Sequence, residues 1–276
     1  MERWWRNERG GDVSSTDERI TAAILAGGGA DDAVAKAAGV PCKALVPVEG
    51  RPLIDWVLDA LRGAETVGDI IAIEGPKRAL TNADGQCPDL PIATAQGGRM
   101  IDSFTAAVEA RPEDDRVLIV TVDLPLLTSE AVNGFVRSCQ ELHGGLSYPI
   151  VQAEAFDKAF PGRGKTVVPL REGRFTGGNL AIVTRRFVLE GAPAIARTFE
   201  RRKSTVSLAW MFGFTFLAKL LTHRLTIEDL ERRGGELVGT TVAAVPVQWP
   251  EIGFDVDHAE DLELAGRYLR ERLAQA

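Results

Sequence analysis

Residues 22–45 read AAILAGGGADDAVAKAAGVPCKAL. A short apolar run empties into Gly27, Gly28 and Gly29, and Lys43 follows after a polar gap. An apolar run of this length, closed by glycine, predicts a buried strand over "RITAAILAG" with a loop at its carboxyl end. Glycines in such a loop leave backbone N–H groups clear of side-chain bulk, which suits an anion. The spacing is neither that of a P-loop nor that of a dinucleotide fingerprint.

Downstream, the pattern alternates. "RPLIDWVLDALRGA" predicts a helix with Pro52 in its tolerant first turn and Leu53, Ile54, Val57, Leu58 and Leu61 on one face. "DIIAIEG" and "LPIATAQ" read as the second and third strands, and "RMIDSFTAAVEA" as the helix after them. "RVLIVTVDLP" is a β-branched fourth strand halted by Pro125. "TSEAVNGFVRSCQEL" is a helix capped by Thr128 or Ser129, with Glu130 in its first turn. Beyond residue 145, "LSYPIVQ", "KTVVPLREG", "GNLAIVT" and "GTTVAAVPVQ" read as strands. Residues 185–233 read as mostly helical, and "HAEDLELAGRYLRERLAQA" as a terminal helix.

This order predicts an α/β fold, Rossmann-like and three-layered (α/β/α), with a mixed, mainly parallel sheet. Ligands of such sheets bind outside the carboxyl ends of the strands. Gly27 to Gly29, Gln96 to Gly98 and Asp123 all fall at such ends. With no internal repeat and no long linker, 19–276 reads as a single domain, with a lid or acceptor subregion at about 146–250.

Composition narrows the function. A formal net charge of -7 over 276 residues argues against a nucleic-acid surface. Three cysteines without close pairing point to reduced thiols and a cytoplasmic setting. The three histidines are too scattered for a zinc spacing. Residues 1–18 are polar and Gly/Ser-containing, a mobile tail rather than a secretory signal. The run "STVSLAWMFGFTFLAKLL" (204–221) is uncharged from Ser204 to Ala218 but is interrupted by Lys219. It falls short of the roughly 20 apolar residues of a membrane span. It reads as a buried or amphipathic helix, with a membrane-surface segment or an apolar acceptor pocket as alternatives.

Taken in order, "AAILAGGG…PCKALVPVEGRPLIDWVLDAL", "VLIVTVDLPLLT" and "IGFDVDHAEDLELA" resemble the molybdenum-cofactor guanylyltransferase-like (MobA-like) NTP transferases. These belong to the nucleotidyltransferases of glycosyltransferase-A-like fold. The resemblance implies transfer of a nucleotidyl group from a nucleoside triphosphate to a small phosphorylated acceptor, with release of pyrophosphate and use of Mg²⁺ or Mn²⁺. It implies that Leu25, Ala26, Gly27, Gly28 and Gly29 cradle the triphosphate and that Lys43 is the phosphate lysine. The competing reading of Lys43 is a solvated loop residue. The segment 30–42 departs from the family's Arg–Met–Gly-like text: it has no arginine, and Asp31 and Asp32 add negative charge.

The resemblance further implies that Asp123 and Asp257 hold the metal, with Asp255 as a further ligand. An aspartate at the end of a buried strand is in any case costly without a metal or a partner. "TAQGGRMIDSF" resembles the loop for base and ribose, which nominates Gln96, Gly97, Gly98 and Ser103. "GGNLAIV" resembles an acceptor segment with Asn179 as its polar hook. Lys165, Arg171 and Arg174 are candidates for an acceptor phosphate, or else surface cations of a hairpin. Two other functions stay open at this point: a nucleotide-sugar-dependent glycosyltransferase on the same fold, and a non-catalytic nucleotide-binding protein. "TVDLP" carries one Asp where a glycosyltransferase would show Asp-x-Asp.

Overall fold

Strand β1 (Ile20–Leu25) is buried on both faces, with Ala22 and Ile24 in one apolar cluster and Ala23 in another. Burial on both faces marks a central strand. It pairs in parallel with β4 (Val67–Glu74) on one side and β6 (Arg116–Thr121) on the other. The computed structural model describes residues 19–28, 31–83, 89–191, 214–222 and 224–275. The predicted tail 1–18, Gly29 and positions 204–213 of the uncharged run lie outside the described residues.

The other described strands of the sheet are β5 (Ile92–Thr94), β7 (Leu146–Gln152), β8 (Val168–Leu170), β9 (Gly173–Gly177), β10 (Leu180–Thr184) and β11 (Val242–Val247). They run in the order β5-β4-β1-β6-β10-β7-β9-β8, with β11 added beside β7. From β5 to β6 the pairing is parallel, and β10 joins antiparallel to both β6 and β7. A small antiparallel ribbon of β2 (Pro47–Val48) and β3 (Arg51–Pro52) follows the first loop. Strands β9 and β10 both lie against β7, and only Gly178 and Asn179 separate them. The strand ladder is interrupted there, at the carboxyl end of β6, as bulges beside binding sites commonly arrange.

Helices cover both faces. Helix α2 (Leu53–Arg62) buries the five apolar residues expected of it, together with Trp56 and Ala60. It shares one cluster with α4 (Ser129–Ser138) and with Ala265 and Leu269 of α8 (Ala259–Gln275). Helix α3 (Met100–Ala110) packs the opposite face. A third cluster joins Ile150, Leu170 and Phe175 to Leu225 and Ile227, and Phe216 and Leu220 of α6 (Phe214–Leu221) pack against it. Part of the uncharged run is therefore helical and lies on the sheet. Ile227 opens α7 (Ile227–Val238). No helix among the described residues is long and apolar enough to cross a membrane.

Four local readings change. Pro52 is the N-cap of α2 and a β3 residue rather than part of its first turn. Strand β6 ends at Thr121, so Asp123 stands in a turn and not on the strand. The polar gap contains a short helix, α1 (Ala33–Ala38), whose N-cap is Asp32: the carboxylate accepts from Val34 N and Ala35 N at 3.0 and 3.1 Å. Asp32 thus serves the backbone. Between β7 and β8 lies another helix, α5 (Ala153–Ala159), which the sequence reading did not include.

One helix contact is unusually close. The Trp249 indole lies directly over Gly134 in α4, so that a Cβ at 134 would fall within the ring's van der Waals surface. Trp249 caps the 3-10 turn Pro250–Gly253, which leads into the segment carrying Asp255 and Asp257.

Candidate active site

The chain leaves β1 at Leu25, and Ala26 N still bonds to Ile73 O of β4 at 2.8 Å. Gly27 then passes so near Gly75 that side chains have little room: a Cβ at 75 would sit 3.0 Å from Gly27 O. Ser103 Oγ of α3 is also close, 3.6 Å from where a Gly27 Cβ would be. Gly27 and Gly28 themselves are exposed. Their neighbour on β4, Glu74, is 1 % exposed, and its carboxylate accepts from Thr81 N, Thr81 Oγ1 and Thr94 Oγ1. Burial alone would raise its pKa, but these bonds outweigh burial and hold it below the usual range. They also fix the loop that Gly27 touches.

Lys43 begins the 3-10 turn Lys43–Leu45, and its N donates to Gly28 O at 3.4 Å. Its side chain is buried, and Nζ donates to Asp123 Oδ2 at 2.7 Å and Asp257 Oδ1 at 3.2 Å. Burial disfavours the charged lysine, yet Asp123, then Asp257 and Asp32, more than compensate and raise its pKa above 10.5. A raised lysine pKa stabilises the fold fully below the unfolded value, and that gain is lost as pH rises through the folded value. Wild type is therefore expected to exceed Lys43→Met in stability by a constant margin up to about pH 10. The margin should narrow at higher pH; urea titrations of both proteins across pH 8–12 check this, and a margin that narrows below pH 9 contradicts it.

Asp257 reaches this place because the segment 254–257 is extended. Phe254 and Val256 are fully buried, and alternation turns Asp255 and Asp257 away from the core. Val256 N donates to Asp123 O at 3.0 Å, tying the segment to the end of β6. The two acids then meet different cations. Asp257 faces Lys43, whereas Asp255 accepts from Lys165 Nζ at 2.7 Å and lies 3.6 Å from Arg163.

Asn179 stands on the interruption between β9 and β10. Its backbone donates to Ile252 O at 3.0 Å and accepts from Thr121 N at 3.3 Å. Its side-chain Nδ2 is buried without a hydrogen-bond partner among the described residues, and so are Thr121 Oγ1 and Asp123 Oδ1. Three unpartnered polar atoms from neighbouring chain positions are costly unless a ligand meets them. Thr121 escaped the sequence reading because a threonine inside a β-branched run looks like any other strand residue.

Gln96 and Gly98 are exposed after β5, and Gly97 lies against Asp102, which caps α3 together with Arg99. Arg171 and Arg174 belong to the β8–β9 hairpin. Arg174 is exposed and lies 3.6 Å from Glu154, at roughly 17 Å along the strand from Asn179 at about 3.3 Å per residue. The structure thus brings together Gly27, Gly28, Lys43, Ser103, Asp123, Asn179 and Asp257, and leaves Arg171 and Arg174 at the far end of the hairpin. Cys139 is buried, and burial pushes its thiol up to about 11, far from a reactive thiolate.

A glycine loop after the first strand and a lysine paired with remote carboxylates, on a three-layer α/β fold, fit the nucleotidyltransferase class. The model of the MobA-like NTP transferase domain matches residues 22–212, and the chain belongs to that family. A hypothetical transferase from Thermus thermophilus is 36% identical, with a TM-score of 0.75, over 88% of this chain and 99% of that one. Molybdopterin-guanine dinucleotide biosynthesis protein A from Archaeoglobus fulgidus shares the fold, at 13% identity and a TM-score of 0.53, over 91% of this chain and all of its own. A curated relative, 2-C-methyl-D-erythritol 4-phosphate cytidylyltransferase of Bifidobacterium longum (strain DJO10A), is 26% identical over 109 residues. That match spans 36% of this chain and 37% of the relative.

Proposed function

We propose that this nucleotidyltransferase moves a nucleoside monophosphate group from a triphosphate to a small phosphorylated acceptor, with release of pyrophosphate and with Mg²⁺ or Mn²⁺ as cofactor. The observation that carries the reading is the buried Lys43 between Asp123 and Asp257, beside the exposed glycines of the first loop. The donor set suits the cofactor. Asp123 Oδ1 is a buried acceptor without a donor among the described residues, and hard oxygen ligands match these ions. Among the described residues no group of three or more His, Cys, Asp or Glu is placed to cage a metal. Mg²⁺ commonly takes one or two carboxylates and completes its shell with substrate phosphates and water, so two acids suffice. When bound, the ion supplies charge stabilisation at the α-phosphate.

The protein's own residues do the rest by position and field. The backbone of Gly27 and Gly28 receives the phosphates, and Lys43 offsets charge that builds as the α-phosphorus is attacked. An oxygen of the acceptor phosphate forms the new bond to that phosphorus. The bond to the bridging oxygen breaks in line, and pyrophosphate leaves with the electron pair. Asn179 Nδ2 offers an unused donor to the acceptor, and Thr121, whose N donates to Asn179 O, carries a second unused polar group in Oγ1. Gln96, Gly97, Gly98 and Ser103 line the side assigned to base and ribose.

The test is a screen of the four triphosphates with Mg²⁺, each paired with a panel of phosphorylated metabolites. Melting temperature and pyrophosphate release are the readouts. One triphosphate is expected to raise the melting temperature, and pyrophosphate is expected only when the right acceptor is added. Release of nucleoside diphosphate from a nucleotide sugar, in place of pyrophosphate, would overturn the reading.

A further inference from the structure

We propose that Arg163 and Lys165 form a cationic clamp that positions Asp257, rather than a site for the acceptor. The proposal rests on the metal reading above. It starts from an imbalance at Asp257, whose side chain is 54% exposed and whose one ion pair among the described residues is with Lys43. Half-exposed as it is, this carboxylate takes its direction from Lys43 and from its own backbone. That backbone is held on both sides.

On one side stands Asp261, in the first turn of α8 and 3% exposed. Its Oδ2 accepts from Asp257 N at 2.9 Å and from His258 N at 2.8 Å. Its Oδ1 lies 2.8 Å from Arg163 Nε, a charge contact whose angle falls short of a hydrogen bond. On the other side stands Asp255. Arg163 Nη2 donates to its carbonyl at 3.3 Å, and Lys165 Nζ donates to its carboxylate at 2.7 Å. The side chains of Arg163, Lys165 and Asp255 are all less than a fifth exposed. Pairs so placed are costly to break from one side.

The loop bearing both cations has a firm base. Phe160, at the end of α5, packs its ring against Phe156, Phe254 and Tyr268, with centroids 5.2, 4.8 and 5.3 Å away. Tyr268 Oη donates to Ala159 O at 2.7 Å, and Arg163 N donates to Phe160 O at 3.1 Å. Phe254 immediately precedes Asp255, so one aromatic cluster fixes the loop and the acidic segment together. Outer partners that orient a metal ligand typically matter by about 10- to 100-fold in metal affinity.

The experiment measures Mn²⁺ binding by electron paramagnetic resonance in the presence of a non-hydrolysable triphosphate, for wild type, Arg163→Gln, Arg163→Lys and Lys165→Met. Circular dichroism confirms folding, and triphosphate binding in chelator serves as the internal control. Arg163→Gln is expected to weaken Mn²⁺ by about 10- to 100-fold with triphosphate binding in chelator unchanged. Arg163→Lys is expected to recover part of the loss. Lys165→Met leaves Asp255 beside Arg163 and carries the test where Arg163→Gln does not fold; about a tenfold loss is expected. Folded clamp variants that bind Mn²⁺ within twofold of wild type would overturn the proposal. Asp123→Asn, measured alongside, separates the two readings. If it loses Mn²⁺ while the clamp variants do not, the clamp alone fails. If it binds like wild type, the metal reading fails first.

Discussion

Asp123→Asn is expected to lower pyrophosphate release by about 10³-fold, with the fold intact. The substitution is nearly isosteric and keeps one carbonyl oxygen. It removes the charge that faces Lys43 at 2.7 Å and the buried oxygen that has no partner among the described residues. The fold should tolerate this, because Lys43 keeps Asp257 at 3.2 Å. Chemistry should not, since stabilisation of charge at the reacting phosphate is the main contribution the protein makes in such a transfer. Initial rates with saturating triphosphate and a melting curve make the comparison. Release within tenfold of wild type, for an enzyme with an unchanged melting temperature, would remove Asp123 from the catalytic centre.

The second large effect is on stability. Gly134→Ala is expected to destabilise the protein by about 2 kcal/mol, although alanine in a helix interior normally gains about 1 kcal/mol over glycine. Packing decides the sign. The new methyl group would occupy space held by the Trp249 ring, and the indole has little freedom to withdraw. Its Nε1 lies 3.5 Å from Glu130 Oε1, and its backbone opens the turn whose Ile252 is fully buried. The melting temperature should fall by roughly 4–8 °C. In a Trp249→Leu background the penalty should vanish and the helix gain should emerge. A rise in melting temperature for Gly134→Ala alone would show that the ring yields cheaply.

Much of this architecture is legible in the chain because its central strands are apolar on both faces. β1, β4 and β6 announce themselves as short runs closed by glycine or a turn, and α2 shows its buried face directly. The strand ends then nominate Gly27, Gly28 and Asp123 without further help. Elements whose signal is not periodic are harder to read. Helix α1 has six residues and depends on one capping carboxylate, so Asp32 looks like a stray charge near an anion site. Strand β9 contains two of its five residues as glycine, which reads as turn. Within the site, what eluded the sequence is pairing. Lys165 and Asp255 are individually visible as charged residues. That each answers the other depends on a contact across 90 positions.

The same separation has a consequence for how the enzyme comes into being. Lys43 and Asp123 are 80 positions apart, and Lys43 and Asp257 are 214 apart. Closing so long a loop is slow, and contacts of this kind form late. A nascent chain that has emerged only as far as β10 already possesses its glycine loop and its first acid. It still lacks the second acid, the aromatic anchor of Phe254 and the helix that holds Asp257. On the proposed function, competence to handle a triphosphate therefore waits for residues 254–261, and a chain that has emerged only as far as β10 is expected to be inert.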